Sequence, residues 1–153
     1  MKKTILTIIL CGVIVLGLTG CGKKTVISNS DFILKAQENN YTVVDVTSQY
    51  SSYDVIEKAT VAKSSEGWQV EFYTLKDKSE ASKMFNTNKT KFEGYKGSTS
   101  TESSSSMSNY SKYSLTSNGY YMYLCRVDNT LLYVRVKDSY KSTVKDFIKE
   151  LGY

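Results

Sequence analysis

Apolar and polar residues alternate along several segments of the chain with the two-residue period of half-buried β-strands. The clearest case is the pair of runs 120–127 and 130–137, which are joined by Asp128 and Asn129. Two alternating runs around a two-residue Asp-Asn turn are typical of a β-hairpin. The same pattern predicts further strands, so that the full set is 41–47, 59–64, 68–76, 111–117, 120–127 and 130–137.

Other segments have the helical period of about 3.6 residues and suitable capping residues at their ends. Ser28 or Ser30 is placed to cap a short first helix. Asp77 and Glu80 have the spacing of a capping box for a second helix, which Gly94 is placed to end. The sequence therefore predicts one helix before the 59–76 hairpin in the chain and one helix after it.

A third helix is predicted to begin near Asp138 and to end at Gly152. Its apolar positions repeat at helical spacing, so they form one stripe that is suited to packing against a sheet. The residues of this stripe are Tyr140, Val144, Phe147, Ile148 and Leu151.

These elements together predict an α+β fold with a single antiparallel sheet of about five or six strands and helices packed mainly on one face. The stretches 70–85 and 131–147 share the order strand, Lys-Asp, helix, which makes a ββα repeat a candidate arrangement. The alternative is a three-layer sandwich with a helix on each side of the sheet.

The first twenty residues differ in kind from the rest of the chain. A cationic head at 1–3 precedes an almost wholly apolar run at 4–16 and a small, flexible stretch at 17–20. This is the layout of a secretory signal peptide. The apolar run is shorter than the roughly 20 residues that a membrane-spanning helix needs.

Leu18-Thr19-Gly20-Cys21 follows this run and resembles, at each of its positions, the lipobox of bacterial lipoproteins. The resemblance implies that 1–20 is a lipoprotein signal peptide that is cleaved before Cys21. It also implies that the Cys21 thiol carries a diacylglyceryl anchor, which would hold the protein on the extracytoplasmic face of the cell membrane. The alternatives are an uncleaved membrane helix or an ordinary signal peptide with a chance cysteine.

The chain after the signal segment is expected to have three parts. Residues 21–29 are a lipidated tether, and 30–153 form a single α+β domain. Within the domain, 97–109 is rich in serine and poor in apolar side chains, which predicts an exposed loop.

Charge restricts the classes of partner only mildly. Removing Lys2 and Lys3 with the signal segment lowers the formal net charge from +5 to +3. Arg126 and Arg135 are the only arginines, and the sequence contains no dense basic stripe. No nucleic-acid partner is therefore expected.

Candidate catalytic chemistry is sparse. The chain contains no histidine, which excludes Ser-His triads and histidine-containing metal sites. After Cys11 and Cys21 are set aside, Cys125 is the remaining thiol, and it falls on the apolar side of a strand, where a small buried hydrophobe is expected. The sequence predicts no cofactor, no metal and no catalytic residue.

One strand face carries residue types that dominate binding hot spots. Tyr120, Arg126, Tyr133 and Arg135 share the side of the 120–137 hairpin opposite its apolar side, and they form a candidate binding face. The alternative is that a helix covers this side and the arginines reach solvent at its rim.

Two classes of function remain open. The first is a non-enzymatic binding or interaction lipoprotein that recognises a protein, a peptide or a cell-wall component. The second is an accessory subunit or an enzyme acting at the cell surface through Ser, Tyr, Asp and Lys. In general style the body of the chain resembles small lipoproteins of Gram-positive bacteria that are rich in lysine, serine and tyrosine, which implies surface display without indicating a ligand.

Overall fold

The computed structural model describes residues 23–153, so the predicted signal peptide 1–20 and the predicted lipidation of Cys21 lie outside the described residues. Its architecture is one antiparallel sheet of seven strands with three α-helices, which confirms the predicted α+β class and the single sheet. The elements in chain order are α1 (Asn29–Glu38), β1 (Thr42–Asp45), β2 (Ile56–Lys63), β3 (Gln69–Leu75), α2 (Lys78–Glu93), β4 (Ser100–Ser106), β5 (Tyr110–Ser117), β6 (Tyr120–Val127), β7 (Thr130–Lys137) and α3 (Lys141–Glu150).

The sheet joins two antiparallel meanders at its centre. The strand order is β1-β2-β3-β7-β6-β5-β4, so β3 and β7 are the central pair, while β1 and β4 are the edges. Val70 pairs with Val134 and Phe72 with Leu132 across this central junction. The predicted hairpin 120–127/130–137 has the bounds of β6 and β7, and its turn residue Asp128 has a positive φ of 45°.

The prediction of five or six strands is too low because the serine-rich segment 97–109 is not a loop throughout. Ser100–Ser106 forms the edge strand β4, which pairs with β5 from Ser100↔Ser117 to Ser106↔Ser111. Strand pairing uses backbone N–H and C=O groups, so it does not require apolar side chains at an exposed edge. The hydrophobic pattern therefore gave no signal for this strand.

Helices cover both faces of the sheet. Phe32 of α1 and Phe147 of α3 pack in one core cluster with Phe72, whereas Phe85 and Phe92 of α2 pack in a second cluster on the opposite face. The expectation that helices lie mainly on one face holds for α1 and α3 only, and the three-layer alternative describes the protein. The two β-β-α segments occur in the expected order, but their helices lie on opposite faces and do not form a structural repeat.

The first core cluster is rich in aromatic rings. Phe32 stacks on Phe72 with a centroid separation of 4.9 Å, and Tyr41 meets Phe147 edge-on at 4.9 Å. Aromatic pairs of this kind add about 0.5–1.5 kcal/mol beyond the area that they bury. The first pair holds α1 on the sheet, and the second holds α3 against the segment between α1 and β1.

The predicted cap residues are present, but the Asp77–Glu80 capping box has only the bond that Asp77 accepts and lacks the return bond from the Glu80 side chain. Ser28 forms a capping box with Asp31 at the start of α1, and the Asp77 side chain accepts a hydrogen bond of 2.9 Å from the backbone N–H of Glu80 at the start of α2. The third helix begins later than expected, because a 3₁₀ turn occupies Asp138–Tyr140 before α3.

The predicted tether 21–29 is shorter than expected, because its described part is docked on the domain. The backbone N–H of Lys24 donates to Oδ1 of Asn109 at 3.1 Å, and Asn109 Nδ2 donates to the carbonyl of Lys24 at 2.7 Å. Ile27 packs against the first core cluster. The folded domain therefore begins at Lys24 rather than at residue 30. Within residues 23–153, none of the helices has both the length and the apolar character needed to cross a membrane.

Candidate functional site

A groove of about 500 Å³ lies between α2 and the sheet face that α2 covers. This volume is within the range of small-molecule sites. The sheet contributes residues of β3 and β7, the 3₁₀ turn Thr47–Tyr50 and the loop after it close one side, and α2 closes the other. The residues that line this tyrosine groove are Tyr50, Tyr53, Val55, Ile56, Glu71, Tyr73, Leu75, Glu80, Lys83, Met84, Thr87, Asn88, Lys91 and Tyr133.

The ring of Tyr50 stands at steep angles to the rings of Tyr53 and Tyr73 on one side of the groove. Tyr50 and Tyr73 have centroids 5.6 Å apart and an interplanar angle of 84°, and Tyr50 and Tyr53 are 6.5 Å apart at 55°. The Tyr50 and Tyr73 hydroxyls are hydrogen-bonded at 2.9 Å. Tyr53 remains 59% exposed at the rim, so the enclosure is open towards solvent.

Glu71 contributes a carboxylate to the groove. Because β3 alternates, Glu71 lies on the same side of the sheet as Tyr73, and it is directly opposite Tyr133 of β7 in the strand register. Oε2 accepts a hydrogen bond of 2.5 Å from the Tyr73 hydroxyl, and Oε1 accepts one of 2.9 Å from Nε2 of Gln69. These two bonds fix the orientation of the half-buried carboxylate.

Glu71 takes part in no ion pair between the residues that the structure describes. Its two hydrogen-bond donors are both neutral, so neither balances its charge. A half-buried carboxylate among aromatic rings is stabilised by a cation more strongly than a fully hydrated one is. The Glu71 carboxylate is therefore open to an ion pair with a bound cation.

Burial and the Glu71 carboxylate also affect the tyrosines of the groove. Burial raises the pKa of Tyr73 strongly, and the neighbouring charge of Glu71 raises it further. Burial likewise raises the pKa of Tyr133 to about 12. Both phenols are thus neutral at physiological pH, so they add no negative charge to the groove. Their ring faces are available to a ligand.

The rim of the groove contains charges of both signs. Lys83 Nζ is 2.6 Å from Oε1 of Glu80, one turn away on α2, and this contact raises the pKa of Lys83. Lys91 is an exposed cation near the end of α2. Glu80 and Lys83 form an ion pair, so the remaining charged residues of the lining are Glu71 inside the groove and Lys91 at its rim.

A groove lined by a carboxylate and several aromatic rings is suited to a positively charged organic group. Cations bind to the faces of aromatic rings, and quaternary or protonated amines are recognised in this way. A metal ion is a poorer fit, because none of the described residues form a group of three or more His, Cys, Asp or Glu side chains able to hold one. The arrangement can bind and orient an ammonium group.

The predicted binding face of Tyr120, Arg126, Tyr133 and Arg135 is not a single exposed surface. Arg126 is only 4% exposed, and its guanidinium donates to the backbone carbonyls of Asn109 and Asp128 at 3.3 and 3.2 Å. The expectation that Arg126 is available to a partner is wrong. Neighbouring positions on this side of the hairpin belong to the core cluster beneath α2. The Arg126 side chain is therefore buried and does not reach solvent at the rim of the helix.

The other three residues of the predicted face lie apart from Arg126. The exposed guanidinium of Arg135 is stacked on the rings of Tyr120 and Tyr95, at 4.3 and 5.2 Å from their centroids. Tyr133 is half-buried, 5.1 Å from the ring of Phe92, and it is the only member of the set that lines the tyrosine groove. The structure therefore brings Tyr120 and Arg135 together and directs Tyr133 to a different site.

Cys125 occupies the position expected from its strand pattern. It is fully buried in the first core cluster, and burial raises the pKa of its thiol. A buried thiol whose pKa is raised is a weak nucleophile. The interpretation of Cys125 as a small hydrophobe is confirmed.

Sequence reasoning did not identify Glu71 or the tyrosines that surround it. The available signal was a single charged residue in the strand-like run 70–75, two positions before Tyr73. Tyr50 and Tyr53 come from a non-strand segment with no hydrophobic period, so their convergence on β3 depends on tertiary structure.

No protein-family model matches the chain, and no curated protein matches it. A crystal structure described as a GTP binding regulator from Thermotoga maritima aligns with 82% of this chain and 85% of its own, at 23% sequence identity and a TM-score of 0.49. At that degree of likeness, nothing said of the Thermotoga protein is carried over to this chain.

Proposed function

We propose that the protein is a membrane-anchored, extracytoplasmic lipoprotein with a non-enzymatic binding role, and that its tyrosine groove binds a small ligand through an ammonium group. The proposed localisation rests on Leu18-Thr19-Gly20-Cys21 and the signal-like segment before it. A diacylglyceryl group on Cys21 supplies two acyl chains, which anchor a protein far more firmly than one. In this proposal the membrane is a partner through the anchor, and the groove is the ligand site.

The environment of Glu71 is the observation that indicates the chemical class of the ligand. Its carboxylate is held by Tyr73 and Gln69, is half-buried, and has no ionic partner among residues 23–153. An ammonium group would pair with this carboxylate, and the rings of Tyr50, Tyr73 and Tyr133 would contact its methyl or methylene groups. Each cation–π contact of this kind contributes about 0.5–2 kcal/mol.

A binding role is favoured over catalysis by the chemistry of the same residues. Glu71 accepts hydrogen bonds from two neutral donors and is not paired with a nucleophile or a general base. The Tyr73 phenol has a raised pKa, which makes it a poor base near neutral pH. These residues are suited to recognition.

The test is site-specific photocrosslinking in cells that produce the full-length protein. A benzophenone amino acid replaces Tyr53 at the groove rim in one strain and Leu34 on α1 in the other. The two positions are matched, because their side chains are 59% and 58% exposed, and α1 packs on the face of the sheet opposite the groove. We expect a defined adduct at position 53 that is absent at position 34. The same adducts at both positions, or none at position 53, would contradict the proposed site.

A further inference from the structure

A second groove, of about 330 Å³, lies on the opposite face of the sheet, where α3 leaves β4 and β5 uncovered. Lys112 of β5 and Lys141 and Lys145 of α3 line it, together with the rings of Tyr121 and Tyr123. It is separated from the tyrosine groove by the thickness of the sheet. We refer to it as the lysine groove.

The serine-rich strand β4 gives this groove a row of hydroxyl groups. Lys112, Ser114 and Thr116 alternate along β5 and therefore share one face of the sheet. Their register partners on β4 are Ser105, Ser103 and Thr101, so the hydroxyls of both strands lie on that same face. From residue 101 to residue 105 this row extends over roughly 13 Å, at about 3.3 Å per residue.

The lysines of the groove have little compensating negative charge. Lys112 and Lys145 form no ion pair within the described portion of the chain. Lys141 Nζ lies 3.8 Å from Oδ1 of Asp138 and donates to Oγ1 of Thr116 at 3.0 Å. The groove thus combines three cations with neutral hydrogen-bonding groups.

Glu102 also lines the groove but does not cancel this charge. It is paired with Leu115 in the strand register, and Leu115 belongs to the core cluster on the other face of the sheet. Its carboxylate forms an ion pair with Lys96, which lowers the pKa of Glu102. Glu102 is therefore already neutralised by a lysine outside the groove.

The two tyrosines form the floor of the groove. Their rings are stacked with centroids 6.4 Å apart, and Lys141 Nζ lies 5.5 Å from the centroid of Tyr121. Burial raises the pKa of Tyr121 to about 12, so its phenol adds no negative charge near neutral pH. The floor is neutral and the rim is cationic.

From this charge and hydroxyl pattern we infer that the lysine groove binds the phosphate groups of an extended polymer of polyol phosphate units, which are joined by phosphodiester bonds. Lysine ammonium groups bind phosphate as point charges, and the serine and threonine hydroxyls hydrogen-bond to phosphate oxygens or to polymer hydroxyl groups. The length of the hydroxyl row favours a chain over a single phosphate. This inference does not depend on the ligand of the tyrosine groove.

The test measures binding of synthetic poly(glycerol phosphate), whose units are joined by phosphodiester bonds, to the full-length mature protein in non-ionic detergent micelles. The test variant combines Lys112→Gln, Lys141→Gln and Lys145→Gln. The control variant combines Lys63→Gln, Lys76→Gln and Lys149→Gln, which remove the same charge from exposed lysines outside the groove. We expect at least a tenfold loss of affinity for the test variant and less than a twofold loss for the control, with binding weakened by added salt.

Equal losses in both triple variants, or no saturable binding by the wild type, would overturn the inference. Glycerol 3-phosphate provides a second arm, because a monomer that binds as tightly as the polymer would overturn the extended site. Lys145→Glu, at an exposed position of α3, keeps the test available if the triple variant does not fold. For this single variant we expect at least a fivefold loss, and an unchanged affinity would contradict the inference.

Discussion

The Tyr73 hydroxyl donates a hydrogen bond of 2.5 Å to Oε2 of Glu71, two residues earlier on the same face of β3. The same hydroxyl lies 2.9 Å from that of Tyr50, so one phenol joins the sheet, the adjacent 3₁₀ turn and the carboxylate of the groove. Residues held in this way are oriented before a ligand arrives, which lowers the entropic cost of binding. The short chain Tyr50–Tyr73–Glu71 is the structural basis of the proposed site.

Removing the Tyr73 hydroxyl should weaken the domain. Tyr73→Phe deletes the donor to Glu71 and the contact with Tyr50, and we expect it to lower the free energy of unfolding by about 1–2 kcal/mol. Urea denaturation followed by circular dichroism measures this change. Tyr50→Phe is the control, because it keeps the bond from Tyr73 to Glu71 and should cost less. A larger effect for Tyr50→Phe than for Tyr73→Phe would contradict the assigned hydrogen bonds.

The two arginines should differ sharply in their contribution to stability. Arg126→Ala removes three buried or half-buried hydrogen bonds, to the carbonyls of Asn109 and Asp128 and to Oγ of Ser111. We expect a loss of about 2–4 kcal/mol, because two carbonyl acceptors lose their charged donor. Arg135→Ala, at an exposed position, should change stability by about 1 kcal/mol or less. Thermal melts of both variants test this contrast, and similar melting temperatures would contradict the burial of Arg126.

Stability should fall at alkaline pH. Burial raises the pKa of Tyr121 and of Tyr133 to about 12, from an ordinary value of 10.0. Above pH 10 the unfolded chain loses these protons while the folded protein keeps them. The stabilisation is therefore complete below about pH 10 and is lost as the pH rises towards 12.

Denaturation curves between pH 8 and pH 12, with absorbance at 295 nm as a probe of tyrosinate, would measure this loss. This pH range of about 8 to 12 brackets tyrosine ionisation, and the absorbance at about 295 nm reports it. Tyr133→Phe should reduce the slope of stability against pH, since it removes one of the shifted groups. A slope that is unchanged in this variant would contradict the raised pKa of Tyr133.

Membrane anchoring should depend on one cysteine. Cys21→Ser should leave an uncleaved precursor without the added mass of the diacylglyceryl group, whereas the wild type should partition with membranes. Cys11→Ser is the matched control within the same segment and should be processed normally. Mass spectrometry of the N-terminal peptide and cell fractionation provide the measurements. A wild-type protein that is unmodified at Cys21 would contradict the lipoprotein proposal.

The sequence was sufficient to predict the elements in which the pattern of apolar and polar side chains matches the pattern of burial. The alternation of 120–127 and 130–137 predicted the bounds of β6 and β7, Asp77 predicted the start of α2, and the start of α1 was narrowed to Ser28 or Ser30, of which Ser28 is the cap. It was insufficient for β4, where both faces carry polar side chains and the strand is held by backbone pairing with β5. It also could not assign α2 to one face, because that choice depends on the connections between elements.

The candidate site was harder to predict for a related reason. The predicted face was chosen by residue type, and tyrosine and arginine serve equally well in a core and on a surface. Arg126 is buried because its guanidinium satisfies the carbonyls of two adjacent turns, a non-local relationship that no period reveals. Glu71 acquires its significance from Tyr50 and Tyr133, which are distant in sequence.

The proposed binding of a positively charged organic group in the tyrosine groove depends on the charge of Glu71. Its most direct test is the dissociation constant of choline for the full-length mature protein in non-ionic micelles, measured for the wild type, Glu71→Gln and Glu80→Gln. Glu80→Gln is the control, since this carboxylate lines the same groove but is already paired with Lys83.

The neutral isostere 3,3-dimethyl-1-butanol tests the same claim from the ligand side, because it has the shape of choline without its charge. We predict saturable binding of choline, a loss of at least about tenfold, or 1.4 kcal/mol, for Glu71→Gln, less than a twofold change for Glu80→Gln, and no saturable binding of the alcohol. An unchanged dissociation constant in Glu71→Gln, or equal binding of choline and its neutral isostere, would contradict the account.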